Sequence, residues 1–475
     1  MPADERATPE CIGYVNAWVM TELARLNRDI LARRRPAGDL AAELARSVLP
    51  GLPLPEAMTA RQAQQLVVLL GLAGAAVSRH YQEADRARMA APERAFDQCL
   101  AGRAQVPFLD YFGRLAERTG TGHCARDTYA GLTRWNVPTT EIWWEGERLA
   151  VLDGVFRDGL VRTYTGTGDE QRFFELIKIS EAIELAINTL LMPISEATLD
   201  ARKPEALDRV RLATVLLTEV RRLNSDFAGL PPEESLRADY FMDVFRQYAV
   251  HWTLGDIPPS GALDPEAIAR DLMLGITTPA YNAHTRKIFP AMLRSERELL
   301  IRLQDRPPVP ETALRWLGLD TLALSRMSMA QLRETVGRYP VLAVLYRLLA
   351  AHARMSGVHL RIAKKYLFAP QRQRELDGLG NPGVVSNRLG TTGMDELYLE
   401  ELTRTRHQHM LSSLRVLGGN ELDALAGLDP VPDEPADLSQ LVRFTGPGIE
   451  QHHLAEWMTR PRRSRVGRTA QIGAG

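Results

Sequence analysis

The chain has 475 residues, 45% of them hydrophobic and 25% charged, the balance of a soluble globular protein with room for roughly two or three domains and a large core. Its 58 Lys and Arg against 59 Asp and Glu create no field to collect nucleic acid, and no window approaches the run of about 18 apolar residues that spans a membrane. Three scattered cysteines, Cys11, Cys99 and Cys124, suit no disulfide framework, and the charged start MPADERATPE lacks the apolar run of a signal peptide. A cytoplasmic protein with neither nucleic-acid nor membrane partners is expected, and homo-oligomerisation stays open.

In chain order, apolar residues at three- and four-residue intervals predict amphipathic helices over residues 14–49 and 58–88, interrupted by Pro50, Pro53 and Pro55. Residues 132–165 break that pattern, with Trp135, Trp143 and Trp144 among Pro138, Gly146, Gly154 and Gly159, and read as a loop-rich junction. Helical patterning returns over 170–191, 204–224, 233–252, 265–274 and 281–304, while strand signals are almost absent. A long helix is predicted from Val341 to about Phe368, opened by Pro340 and closed near Pro370. A Gly-rich connection over 377–393 leads to a last helix over about 395–416. The expected class is therefore all-α, with an N-terminal helical part and junction over 1–168, a second helical domain over 169–416 and an irregular tail over 417–475. The basic stretch RPRRSRVGR in that tail reads as a solvated terminus.

Three features could carry chemistry. The long helix sets Leu345, Leu348, His352, Met355, His359, Ile362 and Tyr366 on one largely apolar face. An imidazole there is either a hydrogen-bonded core residue or a metal ligand, and periodicity does not choose between His352 and His359. Arg246 lies within YFMDVFRQYAVHW, among apolar residues that must be mostly buried, so its guanidinium needs either an internal carboxylate or a ligand carboxylate. Gly390-Thr391-Thr392-Gly393 joins a loop to a helix and reads either as a turn and cap or as backbone able to approach a bound molecule. His407 and His409, and His452 and His453, have no carboxylate in a metal-binding spacing and read as surface residues.

Taken together, HLRIAKKYLFAP from His359, a loop, and GTTGMDELYLEEL from Gly390 resemble the indoleamine 2,3-dioxygenases, in which a His-Leu pair opens a similar run and a Gly-Thr-Gly-Gly turn follows. DTYAGLTRWN from Asp127 and RTYTGTGDE from Arg162 are similar to the pyrrolnitrin-pathway enzymes that rearrange a chlorinated tryptophan, heme proteins of the same superfamily. The resemblance covers about residues 127–416 in scattered blocks. It implies an indoleamine dioxygenase-like helical heme domain, with heme b as cofactor, His359 as the proximal ligand to its iron, and Gly390, Thr391 and Gly393 near the cofactor. Both relatives carry an aromatic residue five positions before an arginine, matched by Phe241 and Arg246. That pair implies packing on an indole and binding of a carboxylate, with Phe173 and Tyr129 enclosing the ring and Thr391 approaching the substrate amine or a heme propionate.

Two departures stand out. Thr392 replaces the first of the family's paired glycines, adding a β-branched residue at the bend. The Phe173-Phe174 match puts Ile177 where relatives carry serine or histidine, so no acid or base is expected over the iron. The implied activity is a heme-dependent oxygenase using dioxygen on tryptophan or a related aromatic amino acid, first by dioxygen insertion into the indole. Monooxygenation or ring rearrangement in a secondary-metabolite pathway is the competing chemistry, and a non-catalytic heme sensor or a helical scaffold without heme are the competing classes.

Overall fold

A computed structural model of the chain describes residues 3–121, 126–381, 383–428 and 438–445, with side chains from residue 8 onward. Cys124, His452, His453 and the basic RPRRSRVGR stretch lie outside the described residues. The described part is mostly helical, as the periodicity predicts, with a few short strands.

The N-terminal part is built around helix Ala60–Ala84, buried nearly all round from Ala63 to Gln82 and opened by a reciprocal cap between Thr59 and Gln62. Residues 14–49 are not one helix. Ala3–Trp18 and Ala24–Leu31 flank a π turn, and the path then bends at 33–36, where Pro36 ends any helical ladder. Helix Ala60–Ala84 also fixes a distant segment. A Cβ on Gly74 would meet the Trp252 ring at 2.5 Å, so only glycine lets that indole lie against the helix. Beside it, Ser78 and Gln82 each donate to the His251 carbonyl at 2.8 Å, and Arg79 donates to the carbonyls of Val244 at 2.6 Å and Asp243 at 3.1 Å. Those carbonyls are thereby drawn from a helical ladder. The predicted helix over 233–252 is instead a series of short turns, including a π turn Phe241–Phe245 and a 3-10 turn Arg246–Tyr248.

The second helical group comprises Gly168–Ser195, Pro204–Gly229, Pro265–Met273, Pro279–Ile288, Arg294–Gln304, Val341–Ala363 and Glu396–His407. The long helix Val341–Ala363 packs on Pro204–Gly229 and on Glu396–His407. It does not stop at Pro370. A π turn, Lys364–Phe368, carries it into Ala369–Leu376 with Pro370 in the first turn of that segment. The wider turn accommodates a residue that lacks an N–H and crowds the carbonyl four residues earlier. Val341–Leu376 is long and apolar enough to cross a membrane, and 67% of its most apolar stretch is buried inside the fold.

The loop-rich junction and the irregular tail are both corrected. Thr139–Trp144 and Glu147–Leu152 form an antiparallel hairpin, and Val442–Thr445 pairs with Thr139–Ile142 as a third strand. Gly419–Ala426 is a helix. Residues 442–445 therefore pair with a strand of the N-terminal part.

Candidate functional site

The two histidines of the long helix have different surroundings. His352 is fully enclosed, and its Nε2 lies 2.7 Å from Oδ1 of Asp271. Asp271 also accepts from Tyr281 Oη at 2.9 Å and from Arg406 at 2.5 Å. Opposite charge holds its carboxyl well below the usual range. His352 is thus a satisfied core histidine. His359, two turns on, makes no hydrogen bond among the described residues and lines two adjoining cavities, each of about 240 Å³. Its ring is exposed to these two cavities. Burial, reinforced by Arg406 and Arg270, lowers its pKa to about 4. A neutral imidazole with an available nitrogen is the form that ligates a metal.

One cavity has apolar sides and a polar end. Phe173, Ile177, Ile268, Met355 and Leu402 form part of the sides, and Glu184, Asp264, Arg270, Asp271 and Arg406 gather at the end. Arg270 pairs with Glu184 and lies 3.5 Å from Asp271, while Arg406 donates to Ser356, one turn before His359, at 2.9 Å. Burial raises the Glu184 carboxyl to about 7 and the Asp264 carboxyl well above its ordinary value.

Aromatic rings line the other cavity. Phe173 meets Phe241 at 5.7 Å and Phe245 at 5.3 Å between centroids, and Tyr164 stacks on Tyr248 at 3.9 Å with planes 3° apart. Tyr129 contributes ring surface there while its hydroxyl donates to Glu181 at 3.2 Å. Ile177 lines both cavities, and Glu184, Asp264 and Asp271 line one of them with it.

Arg246 sits on this aromatic wall at 7% exposure. Among the described residues no carboxylate pairs with it. Its donors reach the carbonyls of Ser386, at 2.9 Å, and Leu389, and the Thr391 hydroxyl at 3.3 Å, and its Nε has no acceptor. Burial lowers its pKa to about 10, so it remains a cation at neutral pH. Gln247 ties down the same loop, accepting from the Val385 amide at 2.8 Å.

The turn at 390–393 contributes unevenly. Gly390, Thr391 and Thr392 line the aromatic cavity, whereas Gly393, expected beside the cofactor, is not on either cavity wall. Its φ of +90° closes the turn, with its amide donating to the Gly390 carbonyl at 2.8 Å. Thr392 is buried on the wall, so the extra methyl occupies cavity surface. His409, read as a surface residue, is instead buried with its ring 5.5 Å from Tyr346.

The sequence reading missed Phe245, Tyr164, Gly261, Ala262, Met394 and Leu399. Phe245 lies beside Arg246 in sequence, but Gly261 and Ala262 sit in a loop whose placement depends on helix Pro265–Met273, and local pattern carries no signal for them.

Among the described residues no group of three or more His, Cys, Asp or Glu is arranged to hold a bare metal ion. A lone imidazole suits a metal that brings its other ligands, as iron in a porphyrin does. The apolar sides suit a macrocycle, while Arg270 and Arg406 at the polar end are already paired with Glu184 and Asp271. His359 and these apolar sides are the features of the described residues that would suit such a group. No protein-family model matches the chain, and no curated protein matches it.

Proposed function

We propose that the chain is a heme-dependent oxygenase with an indoleamine dioxygenase-type fold, acting on tryptophan or a related aromatic amino acid with dioxygen as co-substrate. One observation carries the reading: His359, without a hydrogen bond among the described residues and neutral, stands at the junction of two cavities, one of which holds a buried arginine with no carboxylate partner among the described residues. The resemblance of the blocks at His359 and Gly390 supplies the prosthetic group. When bound, heme supplies the activation of dioxygen for attack on an electron-rich ring.

The chain's own residues bind and orient. Arg246 can exchange its neutral loop acceptors for a charged one, a substrate carboxylate. Phe173, Phe241 and Phe245 confine an aromatic ring against the wall that carries His359. Ile177 and Ile362 keep the junction of the cavities apolar and exclude water. With no carboxyl side chain on the aromatic wall, the protein contributes chiefly positioning.

The test is reconstitution of the purified chain with hemin. A Soret band is expected, and its position should change in His359→Ala and not in His352→Ala. The reduced protein incubated with tryptophan and its substituted relatives under labelled oxygen should give a labelled product, with one or two labelled atoms separating monooxygenation from dioxygenation. An unchanged spectrum in His359→Ala would remove the ligand assignment, and unlabelled products across the panel would remove the oxygenase.

A further inference from the structure

Buried threonine hydroxyls in this fold ordinarily bond to backbone. Thr214 and Thr285 donate to carbonyls four residues earlier in their helices, at 2.8 and 2.9 Å, and Thr140 donates to the Pro138 carbonyl at 3.0 Å. Thr133 departs from that pattern. It is 2% exposed and lines the aromatic cavity, yet its hydroxyl has no hydrogen-bond partner among the described residues. Burying a hydroxyl away from water without a partner is unfavourable, and valine would fill the same space without that penalty.

The threonine is held in place from both sides. Tyr129 donates to Glu181 at 3.2 Å and Arg134 pairs with the same carboxylate at 2.5 Å, which pins the turn Ala130–Arg134 to helix Gly168–Ser195 one turn beyond Ile177. Tyr129, Leu132 and Ile177 line the cavity with Thr133, so the hydroxyl stands among ring and hydrocarbon surface. Other wall hydroxyls have other roles. Thr391 accepts from Arg246 at 3.3 Å and Ser260 from the Ala262 amide at 3.3 Å. Tyr164 and Thr392 lie on segments tied to Arg246: Thr392 follows the loop carbonyls that the guanidinium holds, and Tyr164 stacks on Tyr248, two residues beyond it. Thr133 is on the turn that Glu181 holds, a separate part of the wall from the loop at Arg246.

We infer that Thr133 is where the aromatic cavity reads its ligand's ring: the hydroxyl hydrogen-bonds a polar group on the ring edge, an N–H or a hydroxyl, so that indole and hydroxyaryl amino acids are taken in preference to analogues of similar shape that lack such a group. This rests on the reading of the ligand as an aromatic amino acid held through Arg246, and it names what the ring must carry. Water can meet the hydroxyl in an empty cavity. A ring that displaces the water and offers no polar atom leaves the hydroxyl unpaired in the complex. A site of that kind rejects the analogue lacking the matching group more strongly than an apolar pocket rejects one of slightly different size. Because a hydroxyl both donates and accepts, Thr133 can pair with either kind of ring group. Ile177, on the adjoining helix, offers no competing partner.

The experiment compares ligands with the same amino and carboxylate groups and different rings: tryptophan against 3-benzothienylalanine, in which sulfur replaces the ring N–H, and tyrosine against phenylalanine. Binding to the hemin-loaded full chain is measured by calorimetry at neutral pH. In at least one pair the polar ring should bind about tenfold or more tighter, and which pair shows it identifies the ring group. Thr133→Val should bring that ratio to about one while keeping the Soret band and the unfolding midpoint, and Thr133→Ser, which retains a hydroxyl, should preserve it. Equal binding within both pairs by the parent chain overturns the inference, as does a ratio that survives in Thr133→Val. Arg246→Leu separates this from the reading beneath it. If it abolishes binding while the parent binds each pair alike, the anchor stands and the ring rule falls; if binding persists with a ratio that still depends on Thr133, the anchor falls and the ring rule stands. Binding of none of the four amino acids removes both. Absence of a Soret band would remove the heme reading alone, because calorimetry on the full chain still compares the pairs.

Discussion

Two buried arginines in this molecule have opposite surroundings. Arg134, in the polar interior behind helix Gly168–Ser195, meets Glu181 at 2.5 Å, Glu296 at 2.7 Å and Glu266 at 3.3 Å. Arg246, on the aromatic wall, meets two carbonyls and a hydroxyl. Arg134 has its pKa raised by three carboxylates that outweigh its burial, and Arg246 has its pKa lowered by burial alone. The same residue type is internal glue in one place and an unfilled binding group in the other. The partner set makes the distinction, and burial by itself does not.

The largest expected effect comes from breaking the first of these environments. Arg134→Leu removes the cation that three buried carboxyls share, and leaving buried charge uncompensated costs about 3–5 kcal/mol. Partial protonation of the acids will hold the loss near the lower end. Denaturant unfolding should show it as a lower midpoint, and an unchanged midpoint would mean that the cluster contributes no net stability.

The second effect is the contribution of the same region to a pH slope. Burial raises the Glu296 carboxyl from 4.5 to about 7. Its folded-state pKa is above its unfolded value, so the folded chain binds the extra proton between those values. The stability associated with that proton is fully present below about pH 4.5 and is lost as pH rises through about 7, by about 3 kcal/mol for a shift of this size. Glu296→Gln should remove its share of the dependence of Tm on pH over that window, leaving the share of buried carboxyls such as Glu184. Arg246, whose lowered pKa is still about 10, contributes no slope there, and Arg246→Leu should leave the curve parallel to that of the parent protein.

How much of this was legible in the sequence follows from the range of each interaction. The face carrying His352 and His359 was legible because helical spacing is local. Their different fates were not, because Asp271, which engages His352, comes from another helix. The hairpin had a local signal that the helical reading passed over. A β-branched and aromatic run, Thr139–Trp144, is followed by Glu145 and Gly146 at φ of +48° and +85° and then by Glu147–Leu152, the two-residue turn with both central residues at positive φ that hairpins favour. Its third strand, Val442–Thr445, lies some three hundred positions later and no window reaches it. The same holds for Arg246. The sequence required a partner for the guanidinium, but whether that partner was a carboxylate depended on where the loop from Gly383 to Thr392 came to rest.

The smallest expected stability effect separates the two arginines most sharply. Arg246→Leu removes bonds to the Ser386 and Leu389 carbonyls, whose residues are exposed, so water can replace the lost donor. It also removes the desolvation cost of a buried cation that no carboxylate offsets, and leucine suits an aromatic wall. A hydrogen bond to a charged group contributes about 1.5–3 kcal/mol at most. Set against the desolvation cost relieved, the net change in unfolding free energy should stay within about 1 kcal/mol of zero. A loss as large as that of Arg134→Leu would make Arg246 the structural latch of the loop, with its placement on the cavity wall incidental. A near-neutral change, combined with lost ligand binding, is the signature of a residue whose burial is repaid only when the cavity is filled.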